Sequence, residues 1–334
     1  MQLRGARILM TGGAGFVGSH FVRDLLAQGA EVTVYDNFST GLDENLEGID
    51  GPLTVVRGDI LDYEALLAAA RGHDAISHQA AQLEITRSIG NPVYDLTTNT
   101  IGTLNVLRAA AELGITKIVE ASSAGVYGQA VTELQDETHP TDPNWEYGVS
   151  KLACEKYAAI ACERNPDLAV ASLRYAIVYG EREWYGRVLT LFLKRALEGR
   201  SPVVFGRGDQ IRDFVYVGDI ARLHRRCFEV DFPGHLVLNG STAVGTSVLE
   251  LANAICEVVG ERMEPIFDDV SEGEVSELAG GRMRLPSELQ AMRMSYARAQ
   301  ELLGWTPQVE LREGLEREWK WLQENPHRWN EMSY

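Results

Sequence analysis

The sequence has few cysteines, no long apolar run and a shortage of positive charge. Its four cysteines, among 334 residues, follow neither a metal-ligand spacing nor a disulfide framework, so we expect buried free thiols in a reducing cytoplasm. No apolar run approaches the length of a membrane span, and the first residues lead into a strand pattern with no sign of a signal peptide. A formal net charge of -17 argues against nucleic acids and anionic membranes as partners. We therefore expect a cytoplasmic protein that has no metal site and binds neither nucleic acid nor membrane.

The first half of the chain alternates short apolar strands with amphipathic helices, the pattern of a parallel, doubly wound sheet. Strands are predicted at residues 7–10, 31–35, 53–57, 75–78, 117–121 and 170–174. Helices are predicted at residues 63–70, 99–113 and 147–164. The regularity fades after Tyr179. Helices are predicted there at 188–198, 247–259, 296–303 and 311–323, strands at 202–205 and 212–217, and a polar loop near 270–287.

A glycine-rich turn directly follows the first strand, and a helical pattern follows the turn. Residues 11–18 read Thr-Gly-Gly-Ala-Gly-Phe-Val-Gly. Gly12 allows a tight turn, Gly15 lets the backbone approach a pyrophosphate, and Gly18 lets helix and strand pack closely. The second strand ends on Asp36, whose carboxylate can accept both hydroxyls of an adenosine ribose and would repel a 2′-phosphate. The sequence therefore predicts a dinucleotide site that prefers NAD to NADP.

Together these patterns predict an α/β protein of two domains. We expect residues 1–179 to form a Rossmann-type NAD-binding domain with a doubly wound parallel sheet, to which about 214–243 return. Residues 180–334 would form a smaller C-terminal α/β domain that binds substrate.

A tyrosine and a lysine lie four residues apart in Trp-Glu-Tyr-Gly-Val-Ser-Lys, at Tyr147 and Lys151. A phenol is a poor base at neutral pH because its reference pKa is about 10. A cation one turn away on the same helix face favours the phenolate, so the pair indicates an acid/base centre.

These motifs resemble those of the extended short-chain dehydrogenase/reductases, specifically the NAD-dependent nucleotide-sugar epimerase/dehydratase family of the UDP-glucose 4-epimerase type. The resemblance is spread over nearly the whole chain. It rests on residues 11–18, 36–41, 58–60, 78–82, 99, 102–105, 122–128, 147–151, 174–175, 178–180, 212–217, 219 and 302–307.

The resemblance implies that Ser123 lies beside the substrate hydroxyl, that Tyr147 is the acid/base and that Lys151 bridges the nicotinamide ribose. It also implies a set of cofactor-binding residues. These are Gly12, Gly15, Phe16, Val17, Gly18, Asp36, Asn37, Ser39, Thr40, Gly41, Asp59, Ile60, Ala80, Ala81, Gln82, Asn99, Ser122, Tyr147, Lys151 and Tyr175.

Plainer interpretations remain open for several of these positions. Asp59 is also a candidate turn residue, Asn99 a candidate helix N-cap and Ser123 a candidate strand-end hydroxyl. His78, at a strand end, is expected to be a packed histidine rather than a catalyst.

The implied reaction is oxidation of a sugar carbinol and return of the hydride to the other face of the keto sugar. Related dehydratases and decarboxylases carry acidic residues directly after the serine, where this chain has Ala124 and Gly125. Neither can transfer a proton, which favours epimerisation of a nucleotide-diphosphate sugar at C4, of the UDP-glucose/UDP-galactose type. The alternatives are a 4-keto-sugar reductase, a dehydratase or decarboxylase, and a non-catalytic NAD-binding protein.

The expected substrate is a nucleotide-diphosphate sugar, of which a UDP-sugar is the favoured case, and arginines are expected to hold its diphosphate. Each of these arginines is also a candidate for an ordinary ion pair, and Phe205 for a core aromatic. The predicted substrate residues are Glu84, Ser123, Ala124, Tyr147, Ile177, Arg187, Phe205, Arg212 and Arg284.

Three departures from the family pattern leave the sugar open. Ile177 stands where an asparagine is usual, Glu181 replaces a proline, and residues 181–186 are unusual. Glu84 would repel a uronic acid if it faces the sugar.

The helices that begin near Asn99 and Tyr147 correspond to the pair that forms a dimer interface in relatives, so a homodimer is expected. The candidate apolar positions, each of which could equally belong to a core-facing stripe, are Leu104, Leu107, Ala111, Ala153 and Tyr157.

Overall fold

The computed structural model describes residues 1–183, 186–260, 263–286 and 288–331. The strands are β1 (Arg7–Thr11), β2 (Glu31–Asp36), β3 (Leu53–Arg57), β4 (Ala75–His78), β5 (Lys117–Ser123), β6 (Ala169–Tyr175), β7 (Ile177–Tyr179), β8 (Val203–Phe205), β9 (Ile211–Arg212), β10 (Phe214–Tyr216), β11 (His235–Gly240), β12 (Thr246–Ser247), β13 (Ile266–Asp268), β14 (Val275–Ser276) and β15 (Arg282–Met283). The helices are α1 (Phe16–Ala27), α2 (Tyr63–Ala70), α3 (Ile85–Gly90), α4 (Pro92–Leu96), α5 (Gly102–Leu113), α6 (Glu146–Arg164), α7 (Val188–Leu197), α8 (Val217–Glu229), α9 (Val248–Val259), α10 (Ala297–Leu303) and α11 (Leu311–Glu324).

Seven parallel strands form the main sheet, in the order β11-β6-β5-β4-β1-β2-β3. This arrangement confirms the predicted doubly wound α/β fold. The order reverses beside β1, because β2 follows it on one side and β4 adjoins it on the other. Ligands of such sheets bind at the carboxyl ends of the strands beside this reversal. The register places Thr11 opposite His78 and Ser123 opposite Tyr175 at that edge.

The C-terminal half adds short two-stranded pairs: β10 with β7, β12 with β9, β13 with β8 and β14 with β15. The last pair lies inside the stretch predicted to be a loop, because strands of two residues leave no periodicity in the sequence. Strand β11 comes from this late part of the chain and extends the main sheet beside β6. Among the described residues, the helices lack the length and apolarity needed to cross a bilayer.

The strand predicted at 212–217 is wrong, since Asp213 divides it into β9 and β10. Its side chain is fully buried and accepts hydrogen bonds from the backbone N–H groups of Thr242, Ala243 and Met294. The side chain of Asp213 thus anchors three distant amides, while its backbone carbonyl accepts the Ile177 N–H at 2.9 Å.

The helix predicted to begin at Asn99 begins earlier. Asn91 caps α4, Pro92 occupies the first turn, and a turn of π-helix at Thr97–Ile101 joins α4 to α5. Asn99 lies within this continuous helix, so its interpretation as an N-cap is wrong.

One predicted dimer-interface residue is also wrong. Leu107 packs inside the protein core and is 5% exposed. Leu104 and Ala153 are half-buried, whereas Ala111 and Tyr157 are exposed.

A buried ion pair fastens α6 to the sheet. The Arg174 guanidinium donates from Nε and Nη2 to the two carboxylate oxygens of Glu155, at 2.8 and 2.7 Å. The Ser122 hydroxyl donates to the same carboxylate at 2.6 Å. Helix α6 is thus linked to the ends of both β5 and β6.

Because both charges of this pair are buried, removing one leaves the other without compensation. We expect Arg174→Met to lower the free energy of unfolding by about 3–5 kcal/mol, measured by urea titration followed by circular dichroism. Arg312→Met is the matched control, since Arg312 and Glu257 are both 64% exposed, and it should cost under about 1 kcal/mol. Equal losses in the two variants would contradict the role given to the buried pair.

Candidate active site

A cavity of about 890 Å³ opens at the carboxyl ends of the central strands. Its wall contains Ser123, Tyr147 and Lys151 together with every predicted cofactor residue except Asn99. It also contains every predicted substrate residue except Arg284. The fold therefore brings together residues that lie far apart in the sequence.

The glycine-rich turn is shaped by close backbone contacts. Gly12 has φ +71°, and a Cβ there would lie 2.5 Å from the Ala80 nitrogen. A Cβ on Gly18 would collide with the Gly12 carbonyl oxygen, whereas one on Gly15 would meet only that oxygen, at 3.3 Å. Gly15 is also the N-cap of α1 and has no side-chain cap, so the first amides of the helix remain available to an anion. This cradle fits a pyrophosphate.

The carboxylate of Asp36 is held at the end of β2 by two backbone amides. Ala14 N–H donates to Oδ2 at 2.9 Å, and Phe38 N–H donates to Oδ1 at 2.8 Å. Burial raises the pKa of Asp36, and these hydrogen bonds oppose the rise. A carboxylate oxygen has further lone pairs, so Asp36 can still accept ribose hydroxyls.

The interpretation of Asp59 as a turn residue is confirmed, and its contact with the cofactor stays a prediction. It lies in the cavity wall, and its Oδ1 accepts the Leu61 N–H at 2.9 Å as a turn residue does. The Asn37 amide donates to its Oδ2 at 3.0 Å and links the ends of β2 and β3.

Asn99 is buried and lies outside the cavity wall, so its contact with the cofactor stays a prediction. Its Oδ1 accepts the Gln82 N–H at 2.8 Å, and its Nδ2 donates to the Gln82 carbonyl at 3.0 Å. The same Nδ2 donates to Ser150 Oγ at 3.0 Å. Asn99 therefore positions the Gln82 segment against α6.

Ser123 lies beside Tyr147 because two glycines let their elements approach. A Cβ on Gly148 would collide with the Gly125 carbonyl oxygen. A Cβ on Gly125 would lie 3.4 Å from Ser123 Oγ and 3.8 Å from Tyr147 Cδ1. The Gly125 N–H donates to Ser123 Oγ at 3.0 Å, so the hydroxyl hydrogen remains free to donate elsewhere.

Lys151 is 5% exposed, and its Nζ donates to the Ala121 carbonyl at 2.9 Å. This bond holds the ammonium against β5, one helical turn from Tyr147. An ammonium has three donors, so two remain for a ligand.

The other polar residues at the strand ends, Ser122, Tyr175 and His78, make hydrogen bonds within the protein. The Ser122 hydroxyl faces Glu155, so its predicted cofactor contact can come only from its backbone. The Tyr175 hydroxyl donates to Gln79 Oε1 at 3.4 Å, and burial raises its pKa well above the usual value. His78 is packed between Thr11 and Thr103, as expected, and burial lowers its pKa to about 3.

The arginines predicted to bind a diphosphate do not all reach the cavity. Arg284 donates to the Val270 carbonyl at 3.0 Å and to Glu288 at 3.2 Å, so its predicted place in the wall is wrong. Arg212 lies in the wall, 3.6 Å from Glu288. Arg187 lies there too and pairs with Glu183 at 3.0 Å. Arg284 thus acts on the cavity only through Glu288, which Arg212 shares.

Sequence reasoning missed Glu288 and several cations in the wall: Lys194, Arg195 and Arg200. Lys194 and Arg195 lie about two helical turns after Arg187, so their helical spacing could have identified them. Glu288 gave no comparable signal.

The departures from the family pattern lie in different places. Ile177 and Phe205 line the cavity. Glu181 instead accepts the Tyr216 hydroxyl at 2.7 Å. Within the unusual segment 181–186, Trp184 and Tyr185 lie outside the described residues.

Comparison with known proteins identifies the family. The family model described as "NAD dependent epimerase/dehydratase family" matches residues 8–237. The UDP-glucose 4-epimerase of Mycolicibacterium smegmatis is 35% identical over 317 residues, which cover 92% of this chain and 96% of that protein.

Solved structures agree. The UDP-glucose 4-epimerase of Thermotoga maritima, solved with UDP-glucose, has 33% identity and a TM-score of 0.86, covering 96% of this chain and 99% of that one. The dTDP-glucose 4,6-dehydratase of Streptomyces venezuelae, solved with NAD, has 29% identity and a TM-score of 0.85, covering 98% of this chain and 100% of that one. This chain therefore belongs to the NAD-dependent epimerase/dehydratase family of extended short-chain dehydrogenase/reductases, and NAD is its cofactor.

Proposed function

We propose that this protein epimerises a nucleotide-diphosphate sugar at C4, in the manner of UDP-glucose and UDP-galactose interconversion. The observation that carries the proposal is the pair Ala124 and Gly125. Gly125 lies between Ser123 and Tyr147, within 4 Å of both if given a Cβ. A dehydratase or decarboxylase of this family needs an acid directly after the serine. An alanine and a glycine supply none.

Tyr147, Ser123 and Lys151 have different roles in the oxidation and reduction of the sugar carbinol. When bound, NAD supplies the oxidising and reducing capacity for the reaction. The Tyr147 oxygen takes the proton of the C4 hydroxyl and later returns one. The hydroxyl of Ser123, fixed by the Gly125 amide, donates to the oxygen as it becomes a carbonyl. Lys151 places a positive charge one turn from the phenol oxygen, which stabilises negative charge there.

Turnover of the 4-keto sugar within the cavity would complete the reaction. The intermediate must present its other face before the reduction, so the sugar must rotate while the nucleotide stays bound. Arg187 and Arg212 are our candidates for the diphosphate anchor, since both lie in the wall. Two guanidinium groups match the charge of one diphosphate. Glu288 already pairs with Arg212, so the diphosphate would compete with it.

The proposal predicts sugar inversion without net redox change. Purified protein incubated anaerobically with UDP-glucose, UDP-N-acetylglucosamine, UDP-xylose and dTDP- or GDP-hexoses should invert one of them at C4. NMR of the sugar and absorbance near 340 nm report inversion and NADH. Stoichiometric NADH would instead indicate a net oxidoreductase such as a 4-keto-sugar reductase. Loss of the C6 oxygen or release of CO2 would contradict the argument from Ala124 and Gly125.

Tyr147→Phe removes the proton acceptor and leaves the ring in place. We expect kcat to fall by about 10²–10⁴-fold, with NAD retained. Turnover is followed by NMR, and NAD is quantified after denaturing the purified protein. Tyr63→Phe is a suitable control, since Tyr63 lies on α2 outside the cavity wall and its hydroxyl donates to Glu112 at the protein surface. Full activity in Tyr147→Phe would contradict the mechanism.

We further propose that the protein is a homodimer joined through α4 and α6. These helices pack against each other and share an apolar patch that faces outward. Its residues and their exposures are Val93 (71%), Leu96 (51%), Val149 (54%), Tyr157 (40%) and Ile160 (39%). Apolar residues clustered on one exposed face are typical of an interface between proteins.

Val149→Asp would place an unpaired carboxylate in this interface and should give a monomer. Light scattering coupled to size exclusion measures the mass. Val244→Asp is the matched control, because Val244 is 56% exposed and lies outside the patch. An unchanged mass for Val149→Asp, or a monomeric wild type, would contradict the proposed dimer.

A further inference from the structure

Glu84 is a carboxylate in the cavity wall that the mechanism above does not use. It lies in the same wall as Ser123 and Tyr147. Only its backbone N–H and carbonyl are bonded within the described part of the chain, and its two carboxylate oxygens have no hydrogen bond or ion pair there. It is the N-cap residue of α3, yet its side chain does not cap the helix. The carboxylate is therefore free to meet a ligand.

Arg87 is a cation in the same cavity wall, and its guanidinium packs on an aromatic ring. The Arg87 guanidinium lies over the Tyr94 ring, 4.5 Å from its centroid, and makes no ion pair with Glu84. Burial raises the pKa of Glu84, and the charge of Arg87 opposes the rise. A partly desolvated carboxylate is stabilised by any hydrogen-bond donor that a ligand brings.

The backbone that carries Glu84 is held firmly. Gln82 Oε1 accepts the Glu84 N–H at 2.6 Å, and Gln82 Nε2 donates to the Glu84 carbonyl at 2.9 Å. Asn99 bonds both backbone groups of Gln82 and donates to Ser150 Oγ. Ser150 Oγ donates in turn to the carbonyl of Tyr147 at 3.0 Å. A chain of hydrogen bonds thus fixes the position of Glu84 relative to the catalytic tyrosine.

We propose that Glu84 is a specificity-determining residue, which accepts hydrogen bonds from hydroxyl groups of the sugar and rejects sugars that carry a carboxylate. Hydroxyls can donate to it, whereas a uronic acid offers no donor at its carboxylate and adds a like charge. The hydrogen-bonded backbone of Glu84 keeps the residue in the cavity wall, so a carboxylate bound there meets this repulsion. The substrate class is therefore a neutral nucleotide sugar. This inference rests on the proposed function.

The test compares kcat/KM for UDP-glucose and UDP-glucuronate on the NAD-loaded full chain. Glu84→Gln keeps the size of the side chain and removes its charge. It should raise the ratio of UDP-glucuronate to UDP-glucose by at least about tenfold. Glu146→Gln is the matched control: it removes the same charge from a residue adjacent to Tyr147 that is exposed and outside the cavity wall, so its ratio should equal that of the wild type. An unchanged ratio in Glu84→Gln, or equal use of both sugars by the wild type, would overturn the proposal.

Binding separates this inference from the proposed function. If none of the nucleotide sugars named under the proposed function is inverted at C4, that function fails, and calorimetric affinities for UDP-glucose and UDP-glucuronate then decide the role of Glu84. The wild type should bind UDP-glucuronate more weakly than UDP-glucose, and Glu84→Gln should lessen that difference. Glu84→Ala provides a second variant should the first be poorly folded, as judged by circular dichroism. Equal affinities of the wild type for both compounds would overturn the proposal.

Discussion

The ion pair between Glu155 and Arg174 holds the active site together. It fixes α6, which carries Tyr147 and Lys151, to the ends of the strands that carry Ser123 and Tyr175. The rate of proton transfer is sensitive to small changes in the distance between the reacting groups. A helix that shifted on its sheet would therefore slow the reaction. Burying the two charges costs desolvation energy, and the resulting ion pair aligns the helix with the strands. The surrounding glycines let the aligned elements approach closely.

Three kinds of position illustrate what the sequence could reveal. The turn at residues 11–18 and the carboxylate of Asp36 were predictable because their requirements are local: a tight turn, a helix start and a strand end. The wall of the cavity was predictable from family resemblance. Asn99 and Arg284 lie outside the cavity wall because their partners, Gln82 and Glu288, determine where each side chain points, and Glu155 likewise directs the hydroxyl of Ser122, which remains in the wall. No local pattern records those partners.

Contacts between residues that are distant in the sequence also determine where strands end and which helix faces are buried. Asp213 lies between β9 and β10, and its side chain accepts hydrogen bonds from amides of residues 242, 243 and 294, which are distant in the sequence. Leu107 fits an interface pattern as well as a core pattern, since both require an apolar helix face, and only the packed structure separates them. A sequence indicates that a face is apolar, whereas the fold decides what covers it.

The place of β11 in the sheet has a consequence for how the protein is made. A ribosome releases β1 to β6 long before residues 235–240 emerge, so during synthesis β6 stands as an open edge that can pair with another nascent chain. The sheet closes only after the intervening short strands and helices have been synthesised. The first half of the polypeptide therefore cannot complete its main sheet until β11 has been synthesised.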